Sequence, residues 1–245
     1  QYNLKIIEDA ACGFGSYYKG KHLGNNGNLT CFSFHPRKSI TTGEGGMITT
    51  QDDEIANKIR ILRDHGASSS DLQRHFGPKP YILSDHNEAG YNFRMTDIQG
   101  ALGSAQMERA EEILYERWQI AKKYLNEFSE LSWLKIPNVP KDFSHGFQSF
   151  PCLYQPIEMN IKNVEYINKK RNKWMEELQL NGISTRPATH SVHTLGYYKN
   201  KYKIDAEAMP NSLLASQCSI SLPLYNGMKE NEQDYVIKKV LEHKI

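Results

Sequence analysis

The sequence predicts an α/β fold, because short segments rich in β-formers alternate with stretches whose apolar residues recur at helical spacing. Length and composition agree with this. A chain of 245 residues can bury a sizeable core in one large or two smaller domains, and 39% hydrophobic and 24% charged residues with 17 Gly and 10 Pro fit a globular protein. Disordered, collagenous and coiled-coil classes fit badly, and neither an internal repeat nor a low-complexity tract interrupts the pattern.

Leu4-Lys5-Ile6-Ile7 is a first short strand, and Leu29 to Phe34 is a second. Turn-rich residues 20–27 between them make a loop or hairpin. Met47 to Thr50 is a third strand, reached through Gly43-Glu44-Gly45-Gly46. From Asp52 the spacing becomes helical, with Ile55, Ile59 and Leu62 on one face and Asp52 and Asp53 favourably placed at the start. Residues 68–87 read as a polar loop. A helix of about thirty residues is expected from Thr96, on the stripe Ile98, Leu102, Ala105, Leu114, Ala121, Leu125 and Phe128. Such a helix can connect two domains, and the boundary is placed between residues 1–128 and 129–245.

After Pro137 and Pro140 a second, smaller unit is expected. A strand at 147–154 leads to a helix whose Ile161, Val164, Ile167, Trp174 and Leu178 share one face and which stops at Gly182. A short strand at 183–186, a Tyr-rich loop, a helix at 206–217, a strand at 219–222 and a last helix from Glu230 complete the count.

Thirty Lys+Arg against 28 Asp+Glu leave a formal charge of +2 spread along the chain, which gives no footprint for nucleic acid. The densest cluster, Lys169, Lys170, Arg171 and Lys173, reads as a solvated helix face. No apolar run approaches the roughly 20 residues of a membrane span and the opening residues are not a signal peptide, so a cytoplasmic protein with no membrane partner is expected. Cys12, Cys31, Cys152 and Cys218 show no CxxC spacing, and His190 with His193 lacks further ligands, so neither a disulfide framework nor a metal site is expected. The sequon Asn28-Leu29-Thr30 is taken as incidental.

The residues that carry chemistry lie near the start. Asp9 ends one strand and Lys38 follows another, so opposite charges from two strands can meet at one sheet edge, with Ser33 and a glycine-rich backbone nearby; such edges bind ligands in α/β sheets. A lysine can form a Schiff base with a carbonyl cofactor, and a carboxylate can keep a pyridine nitrogen protonated. Pyridoxal phosphate needs both, and it needs phosphate donors such as Ser33 and backbone amides. Taken alone, Lys38 could be an ordinary surface residue and Asp9 could cap a helix starting at Ala10.

The whole string is more specific. Glu8-Asp9-Ala10-Ala11, followed by Ser33-Phe34, Lys38, Ile40-Thr41 and Gly43-Glu44-Gly45-Gly46, resembles the DegT/DnrJ/EryC1/StrS sugar aminotransferase family. Gly90-Tyr91-Asn92-Phe93-Arg94-Met95-Thr96-Asp97-Ile98-Gln99, then Ser221-Leu222-Pro223-Leu224 and Asp234-Tyr235-Val236-Ile237, continue the likeness over almost the whole chain. The resemblance implies the aspartate aminotransferase-like fold of pyridoxal-phosphate-dependent transferases (fold type I).

It also implies roles. Lys38 would be the cofactor-bound lysine and proton carrier, Asp9 the partner of the pyridine nitrogen and Ser33 a phosphate ligand. Asn92 would reach the phosphate in a neighbouring subunit, making a homodimer with shared sites; an Asx turn before the long helix is the alternative. Cys12 stands near the cofactor's 3′ oxygen, where the family usually has Gln or His, and is a poorer hydrogen-bond partner. Thr185-Arg186-Pro187 with His190, His193 and Tyr197-Tyr198 resembles the substrate-side segment, so Arg186 and His190 are candidates for a sugar nucleotide or the amino donor's carboxylate, against ordinary polar packing in a loop.

Family members usually carry a substantial segment before the EDAA strand, so the resemblance implies an incomplete large-domain mixed sheet with an open edge. A fragment, a natural split and a shortened protein each account for this. The function expected is transfer of an amino group from an amino acid, glutamate foremost, to a nucleotide-linked keto-sugar. An aminotransferase acting on an aminocyclitol-type ketone and a non-catalytic scaffold subunit are the alternatives.

Overall fold

The computed structural model describes residues 2, 4–68, 77, 79, 81 and 83–245, and the loop expected at 68–87 falls largely outside them. In chain order the first elements are β1 (Ile7–Asp9), β2 (Tyr17–Tyr18), β3 (Lys21–His22), β4 (Leu29–Ser33), β5 (Gly46–Thr49), α1 (Asp53–Arg63) and α2 (Asp97–Glu108). There follow α3 (Ala110–Glu127), β6 (Leu134–Lys135), β7 (Phe143–Ser144), β8 (Phe150–Tyr154), α4 (Val164–Leu180), α5 (Gly196–Tyr202), α6 (Pro210–Cys218), β9 (Ser219–Leu222) and α7 (Glu230–Leu241). The fold is mixed α/β, in two compact units: residues 1–111 with 141–146, and residues 112–140 with 147–245.

The first unit holds a mixed sheet in the order β1-β4-β5 and a small antiparallel sheet β3-β2-β7. Pairing begins at Ile7 opposite Leu29, so the first strand lies later than Leu4 to Ile7, whose apolar side chains are exposed. Glu8 ties the strands together: Asn28 Nδ2 and Thr30 Oγ1 each donate to its carboxylate at 2.9 Å. These bonds hold the Glu8 pKa below its usual value and occupy both polar residues of the sequon. α1 starts where expected, because Asp52 Oδ1 accepts from the Ile55 N–H at 3.0 Å.

The long helix expected from Thr96 is two helices. Thr96 and Gln99 form a capping box at the start of α2. At Arg109 the backbone turns to φ −105°, ψ 10°, and its N–H reaches back only three residues, to the Gln106 carbonyl. The compact units also divide earlier than residue 128, at Glu111/Glu112. The reason is packing: Ile120, Ala121, Tyr124 and Phe128 belong to the core of the second unit.

That core is aromatic, with Tyr124, Phe128, Phe150, Tyr154 and Trp174 almost fully buried against the β6-β8-β9 sheet residues Leu134, Cys152 and Ile220. Each large apolar side chain so buried stabilises the fold by about 1.5–3 kcal/mol. Two buried guanidinium groups interrupt it. Arg117 donates from Nε to the Phe147 carbonyl at 3.0 Å, from Nη1 to Asn226 at 2.8 Å and from Nη2 to the Gln148 carbonyl at 2.6 Å; burial lowers its pKa to about 10. Arg171 departs from the solvated-face expectation. It is only 4% exposed and donates to the Ser219 carbonyl at 2.6 Å, while Asn168 serves the Gln217 carbonyl at 2.8 Å. One face of α4 thus satisfies the carbonyls at the end of α6, where a cation is favoured.

Two further expectations change. Residues 183–186 make only an isolated bridge, Arg186 opposite Ser221, and the Tyr-rich loop contains α5, closed by Lys203 at φ +50°. Gly182, at φ +76°, ends α4 as the sequence indicates.

His243 docks the segment after α7. Its ring stacks on Trp174 at 4.9 Å, and its Nε2 lies 3.1 Å from Tyr154 Oη. Burial holds its pKa below the ordinary histidine value, although Glu177 pulls the other way. A histidine kept neutral by folding contributes full stability above its unfolded pKa of about 6.5, and that contribution is lost as pH falls below it. Urea midpoints should therefore drop between neutral and mildly acidic pH, and His243→Phe should reduce the drop. An unchanged drop in the variant would contradict this.

Candidate active site

The parallel pairing of β1 with β4 determines where the candidate site lies. Asp9 is opposite Cys31, so the two strands run to the same edge, where Asp9 is the last residue of β1 and Ser33 the last of β4. β5 runs back with Gly46 opposite Ser33. The glycine-rich segment is therefore anchored at that edge too.

Between β4 and β5 the chain closes into a tight loop. The Phe34 N–H donates to the Gly45 carbonyl at 2.8 Å, the Thr42 N–H to the Phe34 carbonyl at 3.0 Å and the Lys38 N–H to the His35 carbonyl at 2.9 Å. Gly45 has φ +155°, and a Cβ there would meet Thr42 Oγ1 at 2.4 Å, so a side chain is excluded twice over. Ile40 is buried beneath the loop. Ser39 is buried as well, its hydroxyl without a hydrogen-bond partner among the described residues.

The loop presents Lys38 with its Nζ 2.9 Å from Cys12 Sγ. Cys12 comes from the turn after β1, which Asp9 shapes: its Oδ1 accepts from the Ala11 N–H at 3.0 Å, and the residues that follow are turns rather than the helix Asp9 could have capped. Ser33 Oγ accepts from the His35 N–H at 3.4 Å, a weak bond that leaves the hydroxyl hydrogen available to donate. Asp9, Cys12, Ser33 and Lys38 are thus placed around the ends of one parallel strand pair.

The other candidates lie elsewhere. Asn92 is exposed and forms a backbone bridge with Asp64; among the described residues no hydrogen bond ties its side chain to Asp9, Ser33 or Lys38. Arg186 and His190 belong to the second unit. Arg186 Nη1 donates to the Thr185 carbonyl at 2.6 Å and to Ser184 Oγ at 3.3 Å, and His190 is exposed. His193 differs from His190, being buried with Nδ1 3.1 Å from Ser191 Oγ and Nε2 2.9 Å from the Ala206 carbonyl. Among the described residues no cluster of three His, Cys, Asp or Glu could hold a metal ion, and no helix is long and apolar enough to cross a membrane.

Sequence reasoning passed over Gln106, whose side chain bonds both backbone groups of Thr41 in the lysine loop, at 3.1 and 2.6 Å.

The sequence profile of the DegT/DnrJ/EryC1/StrS aminotransferase family matches residues 1–241. An uncharacterized protein of Methanocaldococcus jannaschii is 36% identical over 239 residues, covering 98% of this chain and 60% of its own length. GDP-perosamine synthase of Caulobacter vibrioides is 33% identical over 241 residues, covering 97% and 58% respectively. This chain therefore spans well under two thirds of these relatives. Among solved structures, Spr1654 of Streptococcus pneumoniae, assigned as a sugar aminotransferase, superimposes in its PLP-form with a TM-score of 0.82 at 26% identity, over 96% of this chain and 56% of that one. Its PMP-form gives a TM-score of 0.84 at 26% identity, over 96% and 58%. Profile, relatives and fold agree, and the chain belongs to the DegT/DnrJ/EryC1/StrS aminotransferase family.

Proposed function

We propose that this chain carries the lysine half of a pyridoxal-phosphate-dependent aminotransferase that moves an amino group from an amino acid, glutamate foremost, to a nucleotide-linked keto-sugar in the cytoplasm. The observation that carries the reading is the gathering of Asp9, Ser33 and the Lys38 loop around the ends of the parallel pair β1 and β4. The donor set fits the cofactor: a primary amine for its aldehyde, a carboxylate for its ring nitrogen and a hydroxyl able to donate to its phosphate. When bound, pyridoxal phosphate supplies the electron sink that lets an amino group pass between an amino acid and a ketone.

The protein's own groups do the rest. Lys38 Nζ holds the cofactor and takes up and returns the proton at the reacting carbon. Asp9 keeps the ring nitrogen protonated, Ser33 Oγ donates to the phosphate, and Asn92 serves the phosphate of a partner subunit in a homodimer. Cys12, 2.9 Å from Lys38 Nζ, flanks the amine and would stand near the cofactor's 3′ oxygen. Arg186 offers a guanidinium to the anionic oxygens of the sugar nucleotide or the amino donor, and His190 is the second substrate-side candidate. The names of relatives, a GDP-perosamine synthase and a sugar aminotransferase, support the substrate class.

Lys38→Ala should abolish amino transfer by about two to four orders of magnitude while leaving the oligomeric state intact. Undiminished transfer would refute the assignment.

Cys12 gives a separate check. It is exposed, whereas Cys152 and Cys218 are buried and burial raises both thiol pKa values, that of Cys218 to about 11. Iodoacetamide should label Cys12 in the native chain and spare the buried pair, and the labelled protein should take up less pyridoxal phosphate at Lys38. Equal uptake would remove Cys12 from the site.

A further inference from the structure

We infer that α2 is the positioning element for Lys38, acting through the stripe Gln99, Gly103 and Gln106. These residues stand at i, i+4 and i+7, on one face of the helix. That face grips the lysine loop at two points. Gln106 Oε1 accepts from the Thr41 N–H at 3.1 Å while its Nε2 donates to the Thr41 carbonyl at 2.6 Å. Only a primary amide supplies an acceptor and a donor in this arrangement; a carboxylate would face the carbonyl with like partial charge, and a thioether would satisfy neither group.

Thr41 passes the constraint on. Its Oγ1 donates to the Phe34 carbonyl at 2.9 Å and accepts from the Gly43 N–H at 3.0 Å, so the residue held by Gln106 also braces both ends of the loop. Gln99 makes the second grip. Its Nε2 donates to the Glu44 carbonyl at 2.9 Å, and its Oε1 accepts from the Thr96 N–H and Oγ1, each at 3.0 Å. Gly103 sits between the two glutamines, and a Cβ there would lie 3.0 Å from Thr42 Cγ2. The absent side chain is what lets the helix approach the loop this closely.

The arrangement has a functional direction. Thr96, bonded to Gln99, directly follows the Asn92 to Met95 segment, and Met95 Cε would lie 3.0 Å from a Cβ on Gly45. The segment bearing Asn92 is therefore linked to the loop bearing Lys38 through Thr96 and the Gln99 amide, with Met95 packed near Gly45. Gln99 and Gln106 are positioning residues, and their importance for catalysis rests on the reading of Lys38 as the cofactor lysine.

The test uses the chain without cofactor, so failure of the proposed function does not obscure it. Gln106→Met removes both Thr41 bonds, and Gln106→Glu keeps the acceptor for the Thr41 N–H but loses the donor to the Thr41 carbonyl. Hydrogen exchange of the backbone amides at 38–46 should quicken about tenfold or more in each variant, with the α1 amides unchanged as the control for folding. Competitive acetylation of Lys38 relative to exposed Lys169 should shift by about threefold. If Gln106→Met loses α1 protection, Gln106→Glu decides the matter. Loop exchange and Lys38 reactivity that stay at wild-type values in a folded variant would overturn the inference.

Discussion

The parallel hydrogen bonding of β1 to β4 is the constraint on which the rest of the site depends. Side chains alternate along a strand, so a slip of one residue would turn Asp9 to the other side of the sheet. Glu8 prevents that slip. Its carboxylate is held by Asn28 and Thr30, and Thr30 is fully buried, which fixes Asp9 opposite Cys31. From this register it follows that Asp9 and Ser33 end at one edge and that β5, paired antiparallel, returns the glycine loop to the same place.

The loop that carries the lysine is held by backbone closure. Phe34 and Gly45 close the base of the loop, Ile40 is buried within it, and Gln106 and Gln99 hold the backbone of Thr41 and Glu44. Nζ, by contrast, rests against a thiol, a weak partner whose loss costs little. The second unit follows a different principle, with an aromatic core and two buried arginines whose charge is met by backbone carbonyls.

Much of this was legible in the sequence, and the gaps have physical causes. Asp9, Ser33 and Lys38 could be placed at one edge because each follows a β-rich segment, and strand ends on a shared edge are a topological consequence. The break at Arg109 was invisible, since neither Pro nor Gly marks it and the apolar stripe continues through it. Arg171 looked solvated because charge density does not reveal that α6 ends against that face of α4. Gln106 escaped notice for a related reason: its partners are the backbone groups of Thr41, and backbone partners leave no trace in side-chain patterns.

The most direct measurement is a titration of the purified chain with pyridoxal phosphate, followed by borohydride reduction and peptide mapping. Placement of Asp9, Ser33 and Lys38 at one edge predicts saturation at one equivalent per chain, fixed on Lys38, with the associated absorbance band altered in Asp9→Asn. Incorporation scattered over exposed lysines, or a band indifferent to Asp9, would contradict the account.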